Sequence, residues 1–179
     1  MPQFSLEIHE ELVKFCREEV IFMGLRRQRQ QQPIQPTLYL FELQDDKVTV
    51  PEKNIELRAP LDMEHVRELC EAFTGELAGY MVVYVGEFMA DGEIFEDNAM
   101  AETCIYVPKA VEVQVRGITS NGRHVTDKAL VGLIEFDGAP YTLVSSICED
   151  GSISDVTVSR SERIANFDHL LVDRSGYVN

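Results

Sequence analysis

Apolar residues recur at every second position along much of the C-terminal part of the chain, between residues 111 and 159, with three interruptions. The interruptions are the turn signals Asn121-Gly122, Asp137-Gly138-Ala139-Pro140 and Asp150-Gly151. Asn-Gly and Asp-Gly readily take the positive φ values that tight hairpin turns require. Because the three turns are spaced so that each can close an antiparallel hairpin, this region is predicted to form a four-stranded antiparallel meander.

The three turns also predict which residues face each other. The predicted pairs are Val113 with Leu130 across the first turn, Phe136 with Tyr141 and Ile134 with Leu143 across a four-residue second loop, and Leu143 with Val158 and Ser145 with Val156 across the third. Since directly opposed residues share a face, all three registers agree on one core face. That face comprises Val111, Val113, Leu130, Ile134, Phe136, Leu143, Ile147, Val156 and Val158.

The other face of the predicted meander is less polar than a fully solvated face should be. Val131, Leu133 and Val144 lie next to one another on it, across neighbouring strands. Exposed apolar patches of this kind mark contact surfaces. We therefore predict that these three residues bind either another copy of the chain or a client protein.

Apolar residues at helical spacing predict three helices. The first covers residues 6–25 with Ser5 as its N-cap, and its apolar face is wide enough to require a packing partner. The second covers residues 62–77 with Asp62 as its N-cap, and the third covers residues 160–171 after a capping-box sequence. We expect these helices to cover the core face of the meander.

Further strands are predicted between the first two helices and after the second. Residues 37–43 alternate and can pair with residues 47–50, whereas residues 80–88 are almost continuously apolar and should form a central strand covered on both faces. A short strand is expected at residues 103–107.

This order of elements predicts an α+β fold, with a largely antiparallel sheet that ends in the meander and with helices packed on one face. We expect a single domain over residues 1–179. Residues 1–32 would form the N-terminal helix and a basic, Gln-rich linker, and residues 33–179 would form an acidic body that contains the sheet.

The net charge of the chain limits the classes of partner that it is expected to bind. There are 31 acidic and 16 basic residues, a formal net charge of −15. Residues 1–32 hold five of each, which leaves 26 acids and 11 bases in residues 33–179. Such a body repels nucleic acid phosphates and anionic membrane surfaces, so neither is an expected partner. A basic partner, a divalent cation and simple solubility are the compatible interpretations.

The acidic excess is concentrated between Arg67 and Lys109, a stretch with no other basic residue. Its densest part contains Asp91, Glu93, Glu96 and Asp97, which are candidate binding residues. Three interpretations are open: a solvated hairpin face, a docking surface for a basic partner, or a site for a hard cation. Because the spacing does not match a calcium-binding helix-loop-helix, we predict no metal and no cofactor.

The four cysteines, at positions 16, 70, 104 and 148, include no close pair of the kind that zinc sites use. Cys16 and Cys70 occupy apolar helix positions, as buried thiols do. Residues 1–30 contain no uninterrupted apolar core, so neither a signal peptide nor a membrane span is expected. These features predict a cytoplasmic protein.

Catalytic motifs are sparse. His124 is the histidine best placed to act as a base, with Cys104, Cys148 or the Ser145-Ser146 pair as nucleophiles, but no nucleophile elbow or cysteine-protease signature surrounds them. The glycines form neither common phosphate-binding motif.

One basic patch, formed by Arg26, Arg27 and Arg29, suits a helix C-terminus followed by a tether. The alternative is an arm that binds a partner or the acidic face of a second copy.

Taken with the acidic body and the wide apolar face of the first helix, these observations predict a non-enzymatic cytoplasmic binding protein. It would be an adaptor or chaperone-like protein that acts through protein-protein contacts and self-associates. The alternative is a hydrolase with a non-sequential Cys/Ser-His site near His124.

Overall fold

The computed structural model describes residues 5–31, 34–50, 54–58, 61–88, 104–105, 124–136 and 139–160. The elements in chain order are α1 (Leu6–Gln30), β1 (Thr37–Gln44), β2 (Lys47–Thr49), β3 (Ile55–Glu56), α2 (Met63–Glu71), β4 (Glu76–Phe88), β5 (Cys104–Ile105), β6 (Val125–Phe136), β7 (Ala139–Cys148) and β8 (Thr157–Arg160). Their pairing is antiparallel except between β4 and β5. The predicted α+β class with a largely antiparallel sheet is confirmed.

The strands lie in the order β2-β1-β4-β6-β7-β8, with β3 also paired to β1 and β5 to β4. At its centre is β4, as its continuous apolar sequence predicted, with β1 on one side and β6 on the other. Its residues alternate between two separate cores: Tyr80, Val82 and Tyr84 belong to one, and Met81 and Val83 to the other. A strand that is apolar on both faces needs a cover on each.

The two described helices supply those covers from opposite sides. Leu12, Cys16 and Val20 of α1 pack in the core that contains Met81, whereas Val66 and Cys70 of α2 pack in the core that contains Val82. The expectation that the helices lie on one face is therefore corrected for α1 and α2. The predicted third helix at 160–171 falls outside the described residues, apart from Arg160, which is the last residue of β8.

The helix α1 begins as predicted, because the Ser5 side chain accepts a hydrogen bond from the backbone N–H of Ile8. It is longer than predicted and ends at Gln30, and its C-cap Gln31 has a left-handed φ of 50°. Arg and Gln are good helix formers, and cations near a helix C-terminus are favoured by the helix dipole. Arg26, Arg27 and Arg29 thus belong to the last turns of α1 rather than to a linker.

The helix α2 also begins at its predicted cap, since Asp62 accepts from the backbone N–H of Glu64 at 3.0 Å. It ends at Glu71, well before the expected residue 77. Leu77 is already in β4, where it pairs with Glu42 of β1. The pairing of β4 with β1 therefore prevails over the helical spacing of the apolar residues in this segment.

The meander is only partly as predicted. Strands β6, β7 and β8 follow one another, and the predicted pair Leu143 with Val158 is confirmed. The predicted pair Val113 with Leu130 is wrong, because Leu130 pairs with Val85 of β4 on one edge and with a residue of β7 on the other. A strand has two edges, and both edges of β6 are occupied here.

The loop between β6 and β7 is two residues shorter than predicted. Ile134 pairs with Tyr141 rather than Leu143, and Phe136 pairs with Ala139 rather than Tyr141. Because the shift is an even number of residues, each side chain keeps its predicted face. Leu130, Ile134, Phe136, Leu143 and Val156 accordingly share one core.

Beyond Val144, which still pairs with Thr157 in the predicted register, the pairing of β7 with β8 breaks down. The pair Ser145 with Val156 does not form, since β8 begins at Thr157 and the Ser145 hydroxyl donates to the Ser154 carbonyl at 2.6 Å. The first predicted strand of the meander, at residues 111–120, lies outside the described residues.

Candidate functional site

The most distinctive surface of the described chain is the solvent-facing side of α1. The buried residues Leu12, Cys16, Val20 and Gly24 repeat every fourth position and anchor one side of the helix to the sheet. On the opposite side, Phe22 is 58% exposed and Leu25 is 48% exposed. Because most large apolar side chains of the described chain are buried, these two residues stand out as an unpartnered apolar patch.

Charged residues bracket this patch along the helix. Glu18, Phe22, Leu25 and Arg29 follow one another at spacings of four, three and four, so they form a single line along α1. All four are exposed, and this line is called the outer stripe below. Ile21, which is 38% exposed, widens its apolar part on one side.

The surface around the outer stripe is not flat. Phe22, Leu25, Arg26, Arg29 and Gln30 line a depression along the last turns of α1. Aromatic and arginine side chains around a depression are the composition that dominates binding energy at protein interfaces. Chemically, this site can bury apolar surface and pair with carboxylates.

A second concave site, of about 440 Å³, lies between the C-terminal half of α1 and the start of β1. Its polar lining includes Glu19, Arg27, Tyr39 and Asn54. The Tyr39 hydroxyl donates to Oε2 of Glu19 at 3.3 Å and accepts from Nδ2 of Asn54 at 3.4 Å. Phe22 lines both this cleft and the depression at the outer stripe, so the two sites adjoin.

The environment of Tyr39 keeps its hydroxyl protonated. Burial is the main cause that raises the pKa of Tyr39 to about 12; the hydrogen bond from Asn54 acts against it, and the neighbouring Glu19 carboxylate adds to it. A phenol with this pKa is a hydrogen-bond donor at neutral pH and not a base. The cleft therefore offers polar anchoring without a general base at Tyr39.

The structure corrects the predicted contact surface on the sheet. Val131, Leu133 and Val144 do lie side by side, but all three are fully buried beneath α2, together with Val66 and Cys70. Their low polarity reflects a second core, so the prediction that they form an exposed patch is wrong. The acidic candidates Asp91, Glu93, Glu96 and Asp97 fall outside the described residues.

Among the side chains that the structure describes, the residues proposed for a hydrolase form no hydrogen-bonded pair with His124. His124 is exposed, and its backbone carbonyl accepts from the N–H of Glu149 at 3.0 Å. Ser145 and Cys148 are buried. In the part of the chain that the structure describes, no hydrogen bond joins the His124 ring to Ser145 or Cys148, and the side chain of Cys104 is not described.

Cys16, Cys70 and His9 pack inside the described fold. Cys16 and Cys70 are buried, as predicted. Burial, reinforced by the neighbouring Glu19, raises the pKa of the Cys16 thiol, which keeps it protonated and unreactive. His9 packs edge-on against Phe136 at 4.8 Å, with its Nδ1 3.3 Å from the Tyr141 hydroxyl.

Neither a metal centre nor a membrane span is found within the described ranges. No group of three or more His, Cys, Asp or Glu side chains there could hold a metal ion. Among the same residues, no helix is both long and apolar enough to cross a membrane.

Comparison of the chain with protein-family models, with curated proteins and with solved structures finds no match. The functional conclusion therefore depends on the geometry of this chain alone.

Sequence reasoning missed the outer stripe, although a signal for it was present. Ile21, Phe22 and Leu25 are apolar residues that do not fit the buried four-residue repeat of α1. Apolar residues left over from a packed face are the ones that a second contact surface would use. The Tyr39 cleft had no comparable signal, because α1 and β1 are brought together by the fold.

Proposed function

We propose that this protein is a non-enzymatic binding protein, an adaptor or chaperone-like protein that acts through protein-protein contacts. Its working surface would be the outer stripe of α1. The observation that carries the proposal is the exposure of Phe22 and Leu25 beside Arg26 and Arg29, on a helix whose other side is firmly packed.

Physical chemistry supports a contact role for such a surface. Removing apolar surface from water contributes about 25 cal/mol per Å², so covering an exposed phenyl ring and a leucine side chain is favourable. Since α1 is already fixed by its own core, little backbone order is lost when a partner binds. A pre-ordered helix face with an aromatic residue and arginines at its centre suits a binding role.

The charge distribution agrees with this proposal. The last turns of α1 are basic within a strongly acidic chain, so the surface they form can attract acidic groups. We further propose that the protein acts in the cytoplasm, and the buried cysteine thiols suit a reducing compartment. The acidic residues at 91–97 stay candidates for a contact with a basic partner.

Photo-crosslinking tests this function directly. The residue p-benzoylphenylalanine is placed at position 22 of the full chain, and the protein is irradiated in an extract of the cells that produce it. Position 6 is the matched control, because Leu6 is a 75% exposed apolar residue at the other end of the same helix. Circular dichroism confirms that both variants fold.

We expect discrete crosslinked proteins from position 22 and none of the same mass from position 6. Mass spectrometry then identifies whether each crosslinked protein is another polypeptide or a second copy of this chain. Absence of any crosslinked protein from position 22, at every extract concentration, would contradict the proposed function.

A further inference from the structure

We infer that the partner of the outer stripe is the outer stripe of a second copy, and that two α1 helices pair antiparallel in a homodimer. This inference rests on the proposed function, because it uses the same surface and names what occupies it. It is carried by the order of residues along the stripe, by the charge balance of α1 and by the placement of the stripe away from the core.

The order of residues along the outer stripe is complementary to that of a second stripe running in the opposite direction. The stripe reads acid, apolar, apolar, base from Glu18 through Phe22 and Leu25 to Arg29. In an antiparallel pair with its twofold axis between Phe22 and Leu25, each Phe22 packs on the partner's Leu25. The same axis places each Glu18 opposite the partner's Arg29, so two ion pairs close the two ends of the apolar contact.

A parallel arrangement fails on the same residues. It would place Glu18 opposite the partner's Glu18 and Arg29 opposite the partner's Arg29. Like charges directly opposed are unfavourable, and a twofold contact requires a patch that complements itself. The antiparallel arrangement alone satisfies the charges at both ends.

Charge balance explains why two copies would meet at this helix. Each copy carries a net charge of −15, so most surfaces of two copies repel each other. Residues 1–32 hold five acids and five bases, whereas the rest of the chain holds the whole acidic excess. Within this neutral segment the outer stripe provides the apolar contact, so it is where two copies approach at the least electrostatic cost.

Pairing at the outer stripe leaves the fold undisturbed. Leu12, Cys16 and Val20 stay packed on the sheet, because they lie on the opposite side of α1. The stripe is exposed along its whole length, so neither copy must open to form the contact. A contact between single helices is small, so the dimer should be weak and depend on concentration.

Charge reversal tests the inference. Sedimentation equilibrium of the full chain is measured over a wide concentration range for the wild type, Glu18→Arg, Arg29→Glu and the double variant that carries both. Each single reversal places like charges at both ends of the contact and should raise the dimer Kd about tenfold. The double variant exchanges the two charges and should return the Kd to within a few-fold of the wild type.

Two controls match the changes in net charge. Glu149→Arg and Lys47→Glu alter exposed residues outside α1 by the same charge as Glu18→Arg and Arg29→Glu, respectively. Both should leave the dimer Kd within a few-fold of the wild type. Circular dichroism and a thermal melt show that each variant is folded.

The outcomes separate the inference from the proposed function. A wild-type chain that stays monomeric at every concentration overturns the dimer, and crosslinks to another protein from position 22 would still support the proposed function. A dimer that the double reversal does not restore overturns the antiparallel pairing. A dimer that is restored, with crosslinks only to a second copy, supports both.

Discussion

The hydroxyl of Tyr80 donates a hydrogen bond of 2.7 Å to Oε1 of Glu135, and both side chains are fully buried. The two residues are direct cross-strand neighbours in β4 and β6. A carboxyl group is rarely buried without hydrogen bonds, because it loses its hydration on folding. The tyrosine hydroxyl therefore stabilises an otherwise unfavourable residue at the centre of the sheet.

We predict that Tyr80→Phe lowers the free energy of unfolding by about 1–3 kcal/mol, the usual cost of removing a hydrogen bond to a buried polar group. Glu135→Gln keeps an acceptor oxygen for the hydroxyl and is the conservative comparison. Urea denaturation of both variants measures the two effects. An unfolding midpoint for Tyr80→Phe that equals the wild type would show that the hydrogen bond adds nothing to stability.

A second tyrosine gives a prediction about pH. The pKa of Tyr39 is about 12 in the folded chain, against an ordinary value of about 10 in an unfolded one. Since the folded state holds the proton more tightly, this stabilisation is complete below pH 10 and is lost as the pH rises to 12. Stability should therefore fall between these two values.

Tyr39→Phe should make that fall smaller, because phenylalanine has no proton to lose. Urea unfolding at the two ends of this pH range measures the difference for the wild type, Tyr39→Phe and Tyr141→Phe. Tyr141, a partly buried tyrosine outside the cleft, serves as the matched control. If Tyr39→Phe and the wild type lose the same stability over the range, the raised pKa is not that of Tyr39.

The central strand β4 has a glycine at a position where a side chain would meet the backbone of β6. A Cβ atom at Gly79 would collide with the backbone carbonyl oxygen of Glu135. At Gly132 the nearest atom would be Cγ2 of Val20, at 3.3 Å, which is a side-chain atom of α1. Backbone in a paired sheet cannot withdraw, whereas a side chain can adjust.

Gly79→Ala is accordingly expected to lower the free energy of unfolding by about 1–3 kcal/mol, the cost of overpacking a well-packed core. Gly132→Ala, in the neighbouring strand, should cost less. Both are compared by thermal and urea denaturation. Equal losses from the two substitutions would argue against the close approach of β4 and β6 at Gly79.

The sequence predicted where helices and turns begin better than it predicted which strands pair with each other. Ser5 and Asp62 were identified as caps because their hydrogen bonds are local. The predicted pairing of residues 37–43 with 47–50 is local too, and Asp45 and Asp46 form the tight turn between β1 and β2, each with a positive φ. The pairing of Val113 with Leu130 failed because β4 competes for the same edge of β6, and that competition involves residues far apart in the chain.

The same limit applies to the candidate site. Val131, Leu133 and Val144 were placed on the correct face, but whether a face is exposed depends on where a distant helix packs. The outer stripe of α1 was missed because the helical repeat predicted over residues 6–25 describes the buried side of α1 and does not include Phe22 and Leu25. Glu18 and Arg29 can be recognised as the two ends of an exposed stripe only when the buried side of α1 is known.

The whole molecule combines an acidic body with a helix, α1, whose charges balance and whose two sides have different surroundings. One side of α1 completes a core of the sheet, and the other presents Phe22 and Leu25 to solvent. Because an acidic net charge makes most surfaces of two copies repel each other, we expect two copies to meet at α1. Binding and self-association would then depend on the same short stretch of helix.

Sedimentation equilibrium tests the pairing of two α1 helices most directly. It measures the mass of the full chain in solution as a function of concentration. We predict that the mass rises with concentration from 20.3 kDa towards twice that value. Combined Phe22→Ser and Leu25→Ser substitutions should hold it at the monomer mass, whereas Leu6→Ser should behave as the wild type. A wild-type mass of 20.3 kDa at every concentration, or a double variant that still dimerises, would contradict the pairing of α1 helices.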